Sequence, residues 1–188
     1  MGNGSGNTVR LEYPLTFKNS KIQFYSNGNS IDIKKSDHLI LKACFSFRKD
    51  GHKKKILIGE NFSSNECKIN MLEEKSILKI GSDCMFGYDI KIRNSDGHVI
   101  LDKAHRVINK AENIEIGNHV WVGFGARILK NVKIPDNTIV GASAIVTKKF
   151  HEKNTAIAGN PARVVKKNIY WQRDMLDDYI EKRKKAGV

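Results

Sequence analysis

The stretch from Ile116 to Val146 has the sequence IGNHVWVGFGARILKNVKIPDNTIVGASAIV and repeats every six residues. Aliphatic residues lead the six repeats: Ile116, Val122, Ile128, Ile134, Val140 and Val146. Small or β-branched residues stand four positions after the first five leads: Val120, Ala126, Val132, Thr138 and Ala144. A period of six fits neither an amphipathic helix nor a simple alternating strand. It predicts a solenoid of hexapeptide turns, a parallel β-helix with the leads inside and the small residues at tight corners.

The repeat is weaker towards the N-terminus. Ile80, Phe86 and Ile92 share one six-residue phase, whereas residues 1–58 show only short alternating runs separated by Asn, Gly and Ser. Terminal coils of repeat proteins are often atypical, so we expect residues 1–58 to form degenerate coils of the same β-helix. Within them, the lysine run 53–55 follows Asp-Gly and predicts an exposed turn.

One segment interrupts the repeat. Ile92 and Ile116 share the same phase of the repeat, but the polar residues 93–113 between them do not follow the pattern. We therefore predict a loop extruded from a coil at about 93–113. Loops on rigid scaffolds often carry function, so this segment is the first place to search for a site.

The periodicity changes near residue 168. Trp171, Met175 and Tyr179 are spaced by four, which predicts an amphipathic C-terminal helix over 168–188. The sequence thus predicts an all-β solenoid over 1–167, followed by a helix that covers the last coil. Contact with a partner protein is the alternative role for this helix.

Composition limits the functional classes. The 188 residues carry a net charge of +13, which suits solvated coil faces or a field that attracts anionic small molecules. No nucleic-acid-binding motif is present, so we expect no nucleic-acid partner. An odd number of cysteines, three, argues against a disulfide framework. With no signal-peptide pattern and no apolar run of membrane-spanning length, we expect a cytoplasmic protein without a transmembrane segment.

Four motifs carry a resemblance to a known family. SDGH at 95–98, IGNHVWVG at 116–123, VGASAIVTKK at 140–149 and AGNPARVV at 158–165 follow one another in the order and spacing of the hexapeptide-repeat acetyltransferases. The resemblance covers about residues 58–167 and is closest to the sugar O-acetyltransferases, including those that modify capsule and lipopolysaccharide sugars. It implies a left-handed β-helix, a homotrimer with sites between subunits, and acetyl-CoA as co-substrate without a bound metal or other cofactor.

The catalytic candidate is His98. Acyl transfer to a hydroxyl needs a base that is neutral near pH 7, and histidine has a suitable ordinary pKa. The family's catalytic histidine lies in a Gly-His pair like Gly97-His98, so the resemblance implies that His98 is the general base. Asp96 is a candidate to orient the imidazole or to contact the acceptor. His119 is expected to point off its coil.

Donor-site candidates also follow from the resemblance. It places the Trp121 side chain beside the thioester end of acetyl-CoA, and it matches the Phe124 amide to the group that meets the oxyanion. The other matching donor contacts are Ala142, Thr147, Lys148, Arg163 and Lys166. Ala142 occupies the position of Phe124 one full coil of three hexapeptides later, so the spacing alone predicts that these two residues stack. A solvated basic tail is the alternative for the three cations.

Acceptor candidates are weaker. IGENFSSN, which ends at Asn65, resembles a galactoside-acetyltransferase pattern in which an Asn and an acid eight positions later contact the sugar. The corresponding acid is Glu73. Exposed coil turns are the alternative interpretation of both residues.

The function predicted from the sequence is acetyl-CoA-dependent O-acetylation of a sugar hydroxyl, on a surface polysaccharide of capsule, lipopolysaccharide or sialic-acid type or on its precursor. Three alternatives stay open. The first is N-acetylation of a nucleotide-linked amino sugar, and the second is a non-catalytic β-helix scaffold. The third is a metal-dependent hydratase of the same fold, for which His98 and His119 lack a third ligand at a convincing spacing.

Overall fold

The structure, a computed structural model, describes residues 4–187. Residues 1–3 of the first predicted coil and Val188 lie outside this range. The chain winds through six coils of a left-handed parallel β-helix, each contributing one short strand to each of three faces. This confirms the fold class predicted from the six-residue repeat.

The strands follow coil by coil. Coils 1 and 2 contain β1 (Thr8–Leu11), β2 (Thr16–Lys18), β3 (Lys21–Phe24), β4 (Ser30–Ile33), β5 (Leu39–Leu41) and β6 (Ala43–Phe47). Coils 3 and 4 contain β7 (Lys55–Ile58), β8 (Ser63–Ser64), β9 (Cys67–Met71), β10 (Ile77–Ile80), β11 (Met85–Phe86) and β12 (Ile90–Arg93). Coils 5 and 6 contain β13 (Ile114–Ile116), β14 (Trp121–Val122), β15 (Arg127–Ile128), β16 (Lys133–Ile134), β17 (Ile139–Val140) and β18 (Ile145–Val146).

Every third strand stacks in parallel with its counterpart in the next coil. Face A consists of β1, β4, β7, β10, β13 and β16; face B contains β2, β5, β8, β11, β14 and β17; face C contains β3, β6, β9, β12, β15 and β18. Alternate side chains point inward, so the leads of the repeat form columns such as Ile80, Ile116 and Ile134, all at most 1% exposed. Burial of each such side chain stabilises the fold by about 1.5–3 kcal/mol.

Coil length differs between the two halves of the solenoid. On face A, Thr8 pairs with Ser30, Ser30 with Lys55, and Lys55 with Ile77, so each of these coils is longer than three hexapeptides. The coil length falls to the ideal three hexapeptides only where Glu115 pairs with Lys133.

The extra residues lie mainly at one edge, where each coil passes from face C to face A of the next. We call it the C–A edge; its segments are 25–29, 48–54, 72–76, 94–113 and 129–132.

Side chains and glycines hold neighbouring coils together at the A–B edge, where each coil passes from face A to face B. A Cβ atom at Gly81 would lie 2.5 Å from the carbonyl oxygen of Gly117, so the close approach of these coils requires glycine. Asn118 Oδ1 accepts a hydrogen bond from the Ser82 N–H at 2.8 Å, and Asp136 Oδ1 accepts one from the Asn118 N–H at 2.9 Å. This ladder stacks coils 4, 5 and 6 in register.

The C-terminal part differs from the expectation. After coil 6, β19 (Thr155–Gly159) continues face B and β20 (Ala162–Lys167) pairs with it antiparallel. The helix α1 then spans only Leu176–Lys185 and has no buried residue, so it does not cover the last coil as predicted. Residues 168–175 instead form an irregular segment on the outside of face B, which we call the strap. Its Trp171 side chain is 5% exposed and packs against that face.

Candidate functional site

The loop 94–113 is fixed firmly at its base. The buried amide of Asn94 accepts a hydrogen bond from the Leu72 N–H at 2.7 Å and donates one to the Leu72 carbonyl at 2.8 Å. The Glu73 carboxylate accepts hydrogen bonds from the Ser95 hydroxyl and, at 2.7 Å, from the Ala111 N–H. These contacts join both ends of the loop to the preceding corner of the C–A edge.

Asn109 connects the two arms of this loop around His98. Its amide nitrogen donates to the His98 carbonyl at 2.8 Å and to Asp96 Oδ2 at 2.9 Å, and its oxygen accepts from the Ile100 N–H at 2.7 Å. Lys130 Nζ donates to the same Asp96 oxygen at 2.7 Å. Hydrogen bonds from Lys130 and then Asn109 hold the pKa of Asp96 below its usual range.

His98 lies in a cleft of about 420 Å³ at the C–A edge. The lining residues come from coils 2 to 4 and the loop: Arg48, Asp50, Lys68, Asn70, Leu72, Arg93, Gly97 and His98. The exposed imidazole of His98 thus borders a space that contains three cationic side chains and one acid. A hydroxyl-bearing ligand in this cleft would have a base within reach.

Trp121 occupies a different face. It points outward from β14 on face B, is 38% exposed, and lies beside the strap. The Trp171 ring stacks on the His119 imidazole with 4.1 Å between ring centroids, and its centroid lies 6.1 Å from that of Trp121. Trp171 Nε1 also donates to the His119 carbonyl at 2.9 Å. The strap therefore forms a wall against the exposed indole of Trp121.

An ion-pair network secures the strap. Asp83 accepts a hydrogen bond from Arg173 Nε at 2.8 Å and pairs with His119 Nδ1 at 2.5 Å. Arg173 further donates to the Ser63 hydroxyl at 2.8 Å and to the Asn61 carbonyl at 3.0 Å. Burial raises the pKa of Asp83, but hydrogen bonds from Arg173 and His119 outweigh it, so the pKa is lowered overall.

Three of the remaining candidates lie at the B–C edge, where each coil passes from face B to face C. Val122 pairs with Val140, so Phe124 and Ala142 stack in successive coils, and the Ser143 N–H donates to the Phe124 carbonyl at 2.7 Å. Asn65 lies at the same edge two coils earlier. All three are exposed.

The remaining basic candidates lie beyond coil 6. Thr147 and Lys148 follow β18, and Arg163 and Lys166 lie on β20, all exposed.

Comparison with known proteins gives related chains. No family model matches the chain. It is 34% identical to a polysialic acid O-acetyltransferase of Escherichia coli O1:K1 / APEC over 134 residues, which is 71% of this chain and 43% of that protein. It is 43% identical to a polysialic acid O-acetyltransferase of Neisseria meningitidis over 106 residues, 55% of this chain and 49% of that protein. The chain thus spans less than half the length of these two relatives.

Solved structures extend the similarity to the whole chain. The polysialic acid O-acetyltransferase OatWY superposes with a TM-score of 0.76 at 29% identity, covering 99% of this chain and 97% of that one. The polySia-specific acetyltransferase NeuO superposes with a TM-score of 0.71 at 30% identity, covering 99% and 87%. The chain belongs to the hexapeptide-repeat acetyltransferases.

This hexapeptide-repeat acetyltransferase chain does not bring all its candidate residues together. His98 lies at the C–A edge, whereas Trp121 lies on face B and Phe124 at the B–C edge. In a single chain, the candidate base and the candidate donor residues are thus on different sides of the solenoid. A reaction that uses both groups would therefore need a second subunit to bring them together.

Two acidic candidates make contacts that their local motifs did not indicate. No hydrogen bond joins Asp96 to the His98 imidazole in the part of the chain that the structure describes, because its carboxylate is engaged by Lys130 and Asn109. Both carboxylate oxygens of Glu73 likewise accept hydrogen bonds, one from Ser95 and one from Ala111. Both acids hold the loop in place.

Sequence reasoning missed two groups of residues. Arg48, Lys68 and Arg93 meet in the cleft although they are far apart in the chain, and Asp83 and Arg173 meet at the strap. To predict that these three cations meet, one would have to know the lengths of the longer coils in the first half of the solenoid. His119, as expected, points off its coil, where it contacts Trp171.

Membrane-spanning helices and metal clusters are both missing from the described chain. The only helix within residues 4–187 has ten residues, and nothing in that range could cross a membrane as a helix. Across the same residues, no three His, Cys, Asp or Glu side chains are grouped so as to bind a metal ion.

Proposed function

We propose that this chain is an acetyl-CoA-dependent O-acetyltransferase that acts on a hydroxyl of a surface polysaccharide of the sialic-acid type or of its precursor. The observation that carries the proposal is a histidine, His98, exposed on a rigidly held loop beside a cationic cleft. The related proteins of E. coli and N. meningitidis, named for O-acetylation of polysialic acid, supply the acceptor class.

The reaction is a direct transfer. The neutral His98 imidazole takes the proton of the acceptor hydroxyl as that oxygen attacks the thioester carbonyl carbon. The resulting tetrahedral oxyanion collapses, the C–S bond breaks, and the CoA sulfur leaves and receives the proton from the imidazolium. The product is the acetyl ester, and no covalent enzyme intermediate forms.

The backbone N–H of Phe124 is the donor proposed for the oxyanion. Among the hydrogen bonds of residues 4–187, none uses this N–H. Gly87 lies beneath it, and a Cβ atom there would approach the Phe124 nitrogen to 3.2 Å. Because Gly87 has no side chain, no Cβ atom crowds this N–H. The exposed Phe124 side chain plays no part in the proposed contact.

Acetyl-CoA is proposed to lie along the last coils. Trp121 contacts the thioester end, and the exposed backbone near Phe124 and Ala142 accepts hydrogen bonds from the pantetheine amides. Thr147 with the cations Lys148, Arg163 and Lys166 meets the nucleotide end, where charge-assisted hydrogen bonds to phosphates are strong.

A homotrimer with sites between subunits reconciles this donor position with His98. Because the two lie on different sides of one chain, we propose that His98 of one subunit acts on a donor held by the next. The loop that carries His98 supports this assembly, since it exposes Val99 by 71% and Ile108 by 61%. Apolar surface of this kind marks an interaction site.

For the acceptor, Asn65 remains the proposed contact at the B–C edge, while Glu73 and Asp96 act through the loop that they hold. The free thiols of Cys44, Cys67 and Cys84 agree with a reducing compartment, so we propose a cytoplasmic location.

The proposed reaction is tested with an acceptor panel and mass detection of added acetyl groups. The panel contains sialic acid oligomers, neutral oligosaccharides and amino sugars, each with acetyl-CoA. Acetyl esters on sialic acid oligomers are the expected product. Acetylation of amines alone would favour N-transfer, and no transfer to any acceptor would favour a scaffold role; either result contradicts the proposal.

The assembly is tested separately with Ile108→Asp. We expect the wild type to be a trimer by light scattering and the variant to be a monomer without activity, although His98 is intact. Val9→Asp, at an apolar position of coil 1 that is 45% exposed, is the matched control. It should leave the trimer and its activity unchanged. A fully active wild-type monomer would contradict the interfacial site.

A further inference from the structure

Face C carries a column of cations. Lys68, Lys91 and Arg127 occupy the same position of β9, β12 and β15 and are in register. Lys91 and Arg127 both pair with Asp89, at 3.2 Å and 2.7 Å. The single carboxylate of Asp89 therefore offsets one of these two positive charges.

The cations at the His98 cleft are different. None of the ion pairs formed within residues 4–187 involves Arg48, Lys68 or Arg93. Asp50 is the one acid among the residues that line the cleft. Within the described residues, three cations without an ion pair thus lie beside the proposed base, whereas Lys91 and Arg127 share the carboxylate of Asp89.

Two of these cations are held in position. The Arg93 guanidinium donates to the Asp96 carbonyl at 3.2 Å, and the Arg48 guanidinium lies 5.6 Å from the centroid of the Tyr25 ring. The corner that carries Arg48 is fixed from inside, because the buried Lys54 Nζ donates to the Arg48 carbonyl at 2.5 Å and to the Asp50 carbonyl at 2.8 Å. Charged donors that are already oriented lose less freedom when an anion binds.

We infer that Arg48, Lys68 and Arg93 form the subsite for the carboxylate of an acidic sugar acceptor, and that this subsite sets the hydroxyl beside His98. The inference rests on the proposed function and names its acceptor specificity. A carboxylate is matched by guanidinium and ammonium donors, whereas a neutral sugar would leave three cations unpaired.

The donor phosphates are the other anions that could occupy the cleft. The cations proposed for them, Lys148, Arg163 and Lys166, lie beyond coil 6, whereas the cleft is built by coils 2 to 4. The two basic groups are therefore assigned to different substrates, and kinetics with each substrate tests this assignment.

Lys68→Gln is the test variant, because the Lys68 ammonium makes no hydrogen bond or ion pair in the described part of the chain and its loss leaves the loop intact. Lys91→Gln is the matched control, since it removes the same charge one coil away. The acceptors are a sialic acid oligomer and the same oligomer with its carboxyls converted to amides.

For Lys68→Gln we expect the KM for the acidic oligomer to rise about tenfold, with kcat and the KM for acetyl-CoA unchanged, as for loss of a uniform charge-assisted contact. The amidated oligomer should be used equally by wild type and variant. Lys68→Arg should retain the preference for the acidic oligomer, and Lys91→Gln should behave as wild type.

Unchanged discrimination between the two oligomers in Lys68→Gln would overturn the inference, as would a rise in the KM for acetyl-CoA instead. Equilibrium binding of the oligomers without acetyl-CoA separates this result from failure of the proposed function. If the wild type binds the acidic oligomer more tightly, the preference is lost in Lys68→Gln, and no acetyl transfer occurs, the subsite stands and the proposed reaction fails.

Discussion

The C–A edge has two characters in one solenoid. In coils 2 to 4 its segments 48–54, 72–76 and 94–113 are long, and they carry the cleft, the loop and His98. Between coils 5 and 6 the segment 129–132 is short, and the coil has the ideal length of three hexapeptides. The same backbone scaffold thus supports irregular corners in one half and a regular outer surface in the other.

The difference separates two tasks. Long corners can bring side chains from different coils to one point, as they do for Arg48 and Leu72 beside His98. Regular coils instead present repeated backbone groups and stacked exposed residues, as at Phe124 and Ala142. We therefore expect substitutions in the first half to affect chemistry and acceptor, and those at the far end to affect the donor.

His98→Ala should give the largest effect. Loss of a positioned base lowers kcat by about 10²–10⁴-fold. The affinity for acetyl-CoA should stay near that of the wild type, because the proposed donor site lies on the regular coils. His105→Ala, in the same loop and exposed but outside the cleft, is the control. Wild-type turnover in His98→Ala would assign the base elsewhere.

The strap connects the two halves, because Arg173 contacts coils 3 and 4 while Trp171 contacts coil 5. Trp171→Ala removes a nearly buried aromatic ring, a change that typically costs about 3–5 kcal/mol. We expect a local loss: proteolysis after residue 168 becomes faster and the KM for acetyl-CoA rises, while the β-helix keeps its strand content.

Limited proteolysis and circular dichroism measure these two effects. Met175→Ala, in the same segment but 75% exposed, should change neither. If Trp171→Ala leaves proteolysis unchanged, the strap is not held by this ring.

Lys54 predicts a pH dependence of stability in the irregular half. Burial lowers its pKa from 10.5 to about 8. Below pH 8 the side chain is charged in both states, so the penalty for burying the charge is fully present. Between pH 8 and 10.5 the unfolded state keeps a proton that the folded state has released, so stability rises with pH.

Urea unfolding of wild type and Lys54→Met at pH 7 and pH 9.5 checks this sign. The wild type should gain on the order of 2 kcal/mol relative to the variant, because one pKa unit corresponds to about 1.4 kcal/mol. The comparison cancels the titration of all other groups. A constant difference between the two proteins would contradict the shifted pKa.

Arg163→Ala tests the proposed contact with the nucleotide end of acetyl-CoA and has the smallest expected effect. The KM for acetyl-CoA should rise about tenfold with little change in kcat, because the phosphates do not react and their binding is uniform. Acetyl-pantetheine, which lacks the nucleotide, should be used equally by wild type and variant. Lys167→Ala, on the same strand but paired with Glu152, is the control. Equal impairment with both donors would assign Arg163 to folding.

The sequence predicted much of the site by local motif. SDGH located the loop and its histidine, and the spacing of three hexapeptides predicted that Phe124 stacks on Ala142, which the register confirms. The roles of these residues stay predictions until kinetics test them. The contacts of Asp96 with Lys130 and of Glu73 with Ala111 could not be predicted, because these partners lie far along the chain, beyond the reach of a local motif.

Periodicity also failed at the C-terminus and at one turn. Trp171 shares a spacing of four with Met175 and Tyr179, but its ring stacks on His119 outside any helix, and α1 begins only at Leu176. The turn at 53–55 was expected to be exposed, yet Lys54 is buried because two backbone carbonyls satisfy its amine.

By itself the sequence determined the β-helix, because a six-residue alternation of buried and exposed positions is a local property that each coil repeats. The interruption at 93–113 was visible for the same reason. Only the tertiary structure decided which cations face His98, since that depends on the lengths of the irregular coils, which no motif records. Stacking of unequal coils, rather than proximity in the chain, brings Arg48, Lys68 and Arg93 to one cleft.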